Sequence, residues 1–276
     1  MLEGSAIVTT QDDRASPFTE GLVEADGFRI RYAAAGEGPP LVHLHGAGGM
    51  RVTRGHELLS RHHRVIAFEM PGFGRSAENT RTKSTAELAE TMFAAIRALG
   101  VERCNLWATS FGARVALWLV TQQPALVSAL VLEAPAAIRL PGQRPPSGSP
   151  EEIARMLYAH PDRQPPMPPV DPAVQKQTRE FVARVRGPDR DADLEAAMRH
   201  LEMPALVLFG TEDRVMPPQL GRQYKDLLPN GHLVFVYDAG HAISSERPEA
   251  FVEVTADFLE RHEAFVINRA GTVKYP

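Results

Sequence analysis

Apolar positions along this 276-residue chain alternate between two rhythms. Compact apolar runs, LVHLHG (41–46), RVIAFE (64–69), RCNLWATS (103–110), SALVLEAP (128–135), PALVLFG (204–210) and HLVFVYD (232–238), suit strands covered on both faces of a mostly parallel sheet. Between them the period lengthens. Leu88, Met92, Ala95, Ile96 and Leu99 recur at helical spacing, opened by a capping-box pattern of Ser84 with Glu87 and closed by Gly100. FGARVALWLVTQQP (111–124), PPQLGRQYKDLL (217–228) and RPEAFVEVTADFLERH (247–262) read as further helices, the last with Pro248 near its first turn. GLVEADGFRIRY (21–32) reads as two strands around Asp26-Gly27, a type I′ turn signal. Strands alternating with helices predict βαβ units, hence an α/β fold whose mostly parallel sheet has about eight strands flanked by helices.

One stretch breaks the alternation. Residues 137–201 hold eleven of the 23 prolines and offer no strand. Two amphipathic pieces, EEIARMLYAH (151–160) and VQKQTREFVARVR (174–186), present Met156, Leu157, Tyr158, Phe181, Val182 and Val185 for burial. The expected organisation is an N-terminal extension over 1–20, a core over 21–136 and 202–264, a Pro-rich helical cap inserted after the sixth strand over 137–201, and a C-terminal tail over 265–276. Deleting the cap is expected to change substrate range more than the hydrolysis of the smallest esters.

Composition removes several function classes. Apolar residues make up 43% and charged residues 23%, the balance of an ordinary globular protein. A net charge of −4 without like-charge blocks gives no support for a nucleic-acid or anionic-membrane partner. No apolar run is long enough to span a bilayer, and the first residues lack the basic-then-apolar pattern of a signal peptide. The single cysteine, Cys104, excludes an internal disulfide and reads as a buried small side chain. A cytoplasmic protein acting on a small molecule is the expectation.

The candidate chemistry centres on LWATSFGARVAL (106–117). A serine hydroxyl is a weak nucleophile until a base takes its proton, and a tight strand-to-helix turn can present it. Such a turn requires small residues two positions before and after the serine, which Ala108 and Gly112 supply around Ser110. Further along, Asp213 follows the strand ALVLF and His241 follows the strand LVFVY.

In these residues the chain resembles the α/β-hydrolase superfamily over roughly residues 21–264, with Ala108 where the family more usually has glycine. FEMPGFGRS (68–76) is similar to a family loop, with Glu69 in place of the usual Asp. The resemblance implies a catalytic triad of Ser110 as nucleophile, His241 as base and Asp213 as orienting acid, in the family's chain order. It also implies an oxyanion hole formed by the backbone N–H groups of Phe111 and Ala47. Glu133, after the sixth strand, is a rival for the acid, because some family members take it from that loop. Glu212 is a second rival, one position away from the family's G-x-x-D spacing.

Other constellations are weaker. His43, His45 and the pair His62-His63 lack further ligands at metal-site spacing, and His45 reads as a structural residue under the oxyanion loop. GAGGMR imitates a dinucleotide fingerprint but has Arg51 where the third glycine belongs. Neither cofactor nor metal is expected. Serine at the elbow favours cleavage of a small carboxylic ester, or a related lactone, thioester or amide, through an acyl-enzyme. Carbon–carbon bond hydrolysis or cofactor-free perhydrolysis on the same triad are alternatives. The carbon–carbon hydrolases commonly carry Trp after the catalytic histidine, where this chain has Ala242. A slow-turnover ligand receptor is the alternative from another class.

Overall fold

The computed structural model describes residues 16–143, 145–165 and 170–265. Most of the expected N-terminal extension and nearly all of the C-terminal tail lie outside the described residues. Eight strands form one sheet: β1 (Thr19–Ala25), β2 (Phe28–Ala35), β3 (Pro40–Leu44), β4 (Arg64–Glu69), β5 (Cys104–Thr109), β6 (Val127–Glu133), β7 (Ala205–Gly210) and β8 (Gly231–Val236). Their order across the sheet is β1-β2-β4-β3-β5-β6-β7-β8. β2 is antiparallel to both β1 and β4, and all other pairings are parallel. The β1–β2 turn places Asp26 at φ 49° and Gly27 at φ 71°, both positive as a type I′ turn requires.

Between β4 and β5 runs α2 (Thr85–Ala98), between β5 and β6 α3 (Phe111–Gln122), and between β7 and β8 α7 (Gly221–Leu227). All three pack on one face of the sheet, with Leu88, Met92, Val115, Leu119 and Tyr224 buried in the larger core. The opposite face is covered by α1 (Arg54–Leu59), α8 (Ile243–Glu246) and α9 (Pro248–Arg261), through Leu59, Ile243, Phe251 and Phe258 around Trp107. β5 is buried on both faces, which explains its unbroken apolar run.

Short helices lie outside the elements read from the sequence, and one helix start departs from its expected cap. Helix α1 was not expected, because it is only six residues long and the residue at its third position is a histidine rather than Glu or Gln. His56 Nδ1 accepts the N–H of Thr53 there at 3.1 Å, the part a glutamate usually plays. At α2 the Ser84 side chain accepts from Glu87 N–H, but the Glu87 carboxylate reaches the N–H of Lys83, one residue early. Among its described residues the segment between β6 and β7 forms α4 (Pro150–Leu157) and α5 (Pro172–Val185) over the two amphipathic pieces, and a third helix, α6 (Ala192–Met198), beyond them. The third is started by the Asp191 side chain, which accepts Leu194 N–H. This segment is fastened to the core at α3, where the buried Arg114 binds Asp191 at 2.7 Å and the carbonyl of Pro188 at 2.8 Å. No helix among the described residues is long and apolar enough to cross a membrane.

Candidate active site

Ser110 joins β5 to α3 with φ 53° and ψ −113°, a conformation an L-residue holds only when its surroundings impose it. Those surroundings are visible. Ser110 N–H donates to Glu133 O at 2.9 Å, and Ser110 O accepts the N–H groups of Ala113 and Ala136 at 3.1 and 3.0 Å. Gly112 lies against the carbonyls of Leu44 and His45, where any Cβ would collide with both. The size rule read from the sequence thus has a cause: β3 and the loop after it press directly on the turn. Ala108, whose methyl departs from the family pattern, is fully buried in β5.

The loops after β7 and β8 bring Asp213 to His241. Asp213 Oδ2 accepts from His241 Nδ1 at 2.9 Å, while its Oδ1 takes the N–H groups of Val215 and Met216, both at 2.8 Å. The Asp213 side chain has no exposed surface, so its charge acts on the imidazole without screening by water. With Nδ1 donating to the carboxylate, Nε2 of a neutral His241 carries the lone pair a general base needs. Among the described residues neither His241 Nε2 nor Ser110 Oγ makes a hydrogen bond. In unliganded sites such contacts are often long and tighten around the substrate.

The loop after β3, where the sequence places a candidate oxyanion donor, is held by His45. His45 is buried, its Nε2 accepts Met70 N–H at 3.0 Å, and its Nδ1–H therefore donates to Gly46 O at 2.7 Å. Burial holds its pKa down at about 4, so the ring stays neutral. C=O and N–H point in opposite directions across a trans peptide, so the grip on Gly46 O turns the Ala47 N–H away from His45. Gly46 itself sits against Ser110, where an added Cβ would come within 3.3 Å of the serine Cβ. Phe111 is the first residue of α3, and its N–H has no partner within the helix.

Neither rival acid makes a hydrogen bond to the imidazole among the described residues. Glu212 is exposed to solvent. Glu133 is fully buried and faces other donors: Trp107 Nε1–H at 3.0 Å, Thr109 Oγ1–H at 2.9 Å and the backbone N–H of Ser244 at 2.8 Å. Burial pushes its pKa up, against the opposing pull of those donors.

Behind Thr109 lies an unexpected chain of side chains: His43 Nε2 at 3.1 Å from Thr109 Oγ1, and His56 Nε2 at 2.9 Å from His43 Nδ1. Because His56 Nδ1 accepts from Thr53 N–H, each neutral ring donates through Nε2, and every hydrogen in the chain points toward Glu133. The sequence held no sign of this, since its members lie up to ninety residues apart in short, unrelated motifs. Replacing Glu133 by Gln should lower stability by about 1–3 kcal/mol, because an amide NH2 would face N–H and O–H donors. The urea midpoint measures this, and an unchanged midpoint would contradict the packing described.

Residues 41–254 match the sequence model described as Alpha/beta hydrolase family. A 2-hydroxymuconate semialdehyde hydrolase of Pseudomonas putida is 29% identical over 276 residues, covering 90% of this chain and 97% of that protein. The 2-hydroxy-6-oxo-6-(2'-aminophenyl)hexa-2,4-dienoic acid hydrolase of Metapseudomonas resinovorans is 26% identical over 281 residues, covering 89% and 92%. The solved structure of a meta-cleavage product hydrolase from Pseudomonas fluorescens IP01 shares the fold, with a TM-score of 0.78 at 19% identity and coverage of 87% and 97%.

Proposed function

Because the chain belongs to the alpha/beta hydrolase family, we propose that it is a serine hydrolase cleaving small carboxylic esters through an acyl-enzyme. Ser110 Oγ attacks the ester carbonyl while His241 Nε2 takes its proton, and the imidazolium formed is stabilised by Asp213. The N–H groups of Ala47 and Phe111 receive the developing oxyanion. His241 returns the proton to the leaving alcohol, and water then releases the acid by the same route in reverse. One observation carries this reading: a serine held at positive φ occurs in the same chain as a histidine whose other nitrogen is fixed by a buried carboxylate.

Carbon–carbon bond cleavage by the same residues is a second reading. It is favoured by two relatives that span about nine-tenths of the chain and whose names specify 2-hydroxymuconate semialdehyde and an aminophenyl hexadienoic acid. Ala242 after His241 weighs against it. The readings separate in one experiment, in which purified protein is offered p-nitrophenyl acetate and butyrate, a lactone, a thioester and 2-hydroxymuconate semialdehyde. Multiple rapid turnovers of the short esters are expected. Turnover confined to the semialdehyde would replace the ester reading, and a single slow turnover of every substrate would point to a receptor.

A further inference from the structure

The loops of the candidate machinery converge on one short stretch of the β6–β7 segment, the carboxyl end of α4 and the three residues after it. His241, the candidate base, donates its own backbone N–H to Leu157 O at 2.7 Å. Its neighbour Gly240 donates to Glu246 Oε2 at 2.6 Å, while Glu246 Oε1 accepts the N–H groups of Ala159 and His160 at 2.7 and 3.2 Å. From the Asp213 loop, Arg214 donates to the carbonyls of Arg155 at 2.7 Å and Tyr158 at 3.3 Å. From the oxyanion side, Arg51 reaches Tyr158 Oη at 3.4 Å.

These contacts answer a need on each side. The last carbonyls of a helix have no partner within it, and here His241 N–H and Arg214 supply partners for those of α4. The turn before His241 has a free N–H at Gly240, and Glu246 supplies the acceptor. Close approach is built in as well. A Cβ at Gly240 would lie 2.6 Å from Leu157 O, 2.8 Å from Ala159 N and 2.9 Å from Glu246 Oε2.

We propose that Glu246 is a positioning residue that clamps residues 157–160 to the histidine loop, so that the β6–β7 segment sets where His241 stands relative to Ser110. This rests on the reading of His241 as the base. One carboxylate bridges the two segments, and the Leu157 carbonyl fixes the peptide that carries the imidazole. A misplacement of about 1 Å at a reacting group can cost about 10²-fold in rate. Loss of the segment would then impair even the smallest esters, contrary to the expectation drawn from the sequence.

The test compares Glu246→Ala, Glu246→Gln and Gly240→Ala with the wild type by amide hydrogen exchange and by steady-state hydrolysis of p-nitrophenyl acetate. In Glu246→Ala and Gly240→Ala, peptides covering 155–160 and 238–244 should lose protection together. kcat should fall about 10²-fold, with KM changed less than about threefold. Glu246→Gln keeps one acceptor oxygen and should recover part of both. If 155–160 opens while 238–244 stays protected and kcat stays within about twofold of wild type, Glu246 anchors the segment alone and the proposal is overturned. Should Glu246→Ala fail to fold, Gly240→Ala gives the same readout with the carboxylate intact. A wild type that hydrolyses no ester would sink the proposed activity, yet joint or separate loss of protection would still decide the coupling.

Discussion

Ser110→Ala is expected to lower kcat by about 10⁶-fold and to abolish labelling by a fluorophosphonate probe, while Asp213→Asn costs about 10⁴-fold. The two losses have different origins. The serine hydroxyl makes no hydrogen bond among the described residues, so its removal takes away the attacking atom and little else. Stability should stay within about 0.5 kcal/mol of wild type. The strained backbone at residue 110 persists, because it is imposed by the bonds to Glu133 and Ala136 rather than by the side chain. At position 213 the asparagine oxygen can keep the N–H groups of Val215 and Met216. Its NH2 then faces His241 Nδ1 and selects the tautomer with hydrogen on Nε2, which cannot accept a proton from serine. Glu212→Gln, on an exposed side chain, should leave kcat unchanged. Hydrolysis near the wild-type rate by Ser110→Ala would remove the mechanism, and a mild Asp213→Asn beside a crippled Glu133→Gln would move the acid to β6.

Stability should fall steeply as pH drops from about 6.5 toward 4. His43, His45 and His56 are fully buried, and burial lowers the pKa of each: to about 4 for His45, to about 3 for His56, and well below 6.5 for His43. Between the unfolded and folded values the unfolded chain binds protons that the native protein refuses, so acidification favours unfolding. By pH 4 the window spans about 2.5 units at about 1.36 kcal/mol per unit, or about 3 kcal/mol each for His45 and His56. Together they approach the whole stability of a typical domain, about 5–15 kcal/mol. Glu133 acts in the opposite sense. Its raised pKa costs stability above its folded value, and part of that returns as pH falls toward 4.5. Urea titrations at half-unit steps from pH 7 to 4 give the net slope, and a midpoint that holds or rises on acidification would contradict this account.

What the sequence revealed of this site depended on distance along the chain. Ser110, Asp213 and His241 each stand in a short local pattern, a strand end followed by a turn, and their order needs no knowledge of contacts. Asp26-Gly27 is equally local, since its signal is the backbone geometry of two residues. The tie between Glu133 and Ser244 spans 111 positions, and that between Ala159 and Glu246 spans 87. Both join a side chain to a backbone N–H, so the second partner is any residue at all and no spacing betrays it. Leu157 shows the limit most plainly. Its side chain suggested burial, whereas its part in the site is played by a carbonyl that every residue possesses.

The chain from Thr53 through His56, His43 and Thr109 to Glu133 has a polarity. Each member spends its one available hydrogen on the next, so none can turn about without forcing its neighbour to turn as well. A row of this kind behaves like a set of aligned compass needles, with its sense fixed at one end by a backbone N–H and read at the other by a carboxylate. Thr53→Pro, which deletes that N–H together with the hydroxyl 2.8 Å from His56 Nδ1, would free the first needle, and its effect should be felt at Trp107 and Glu133 across the sheet.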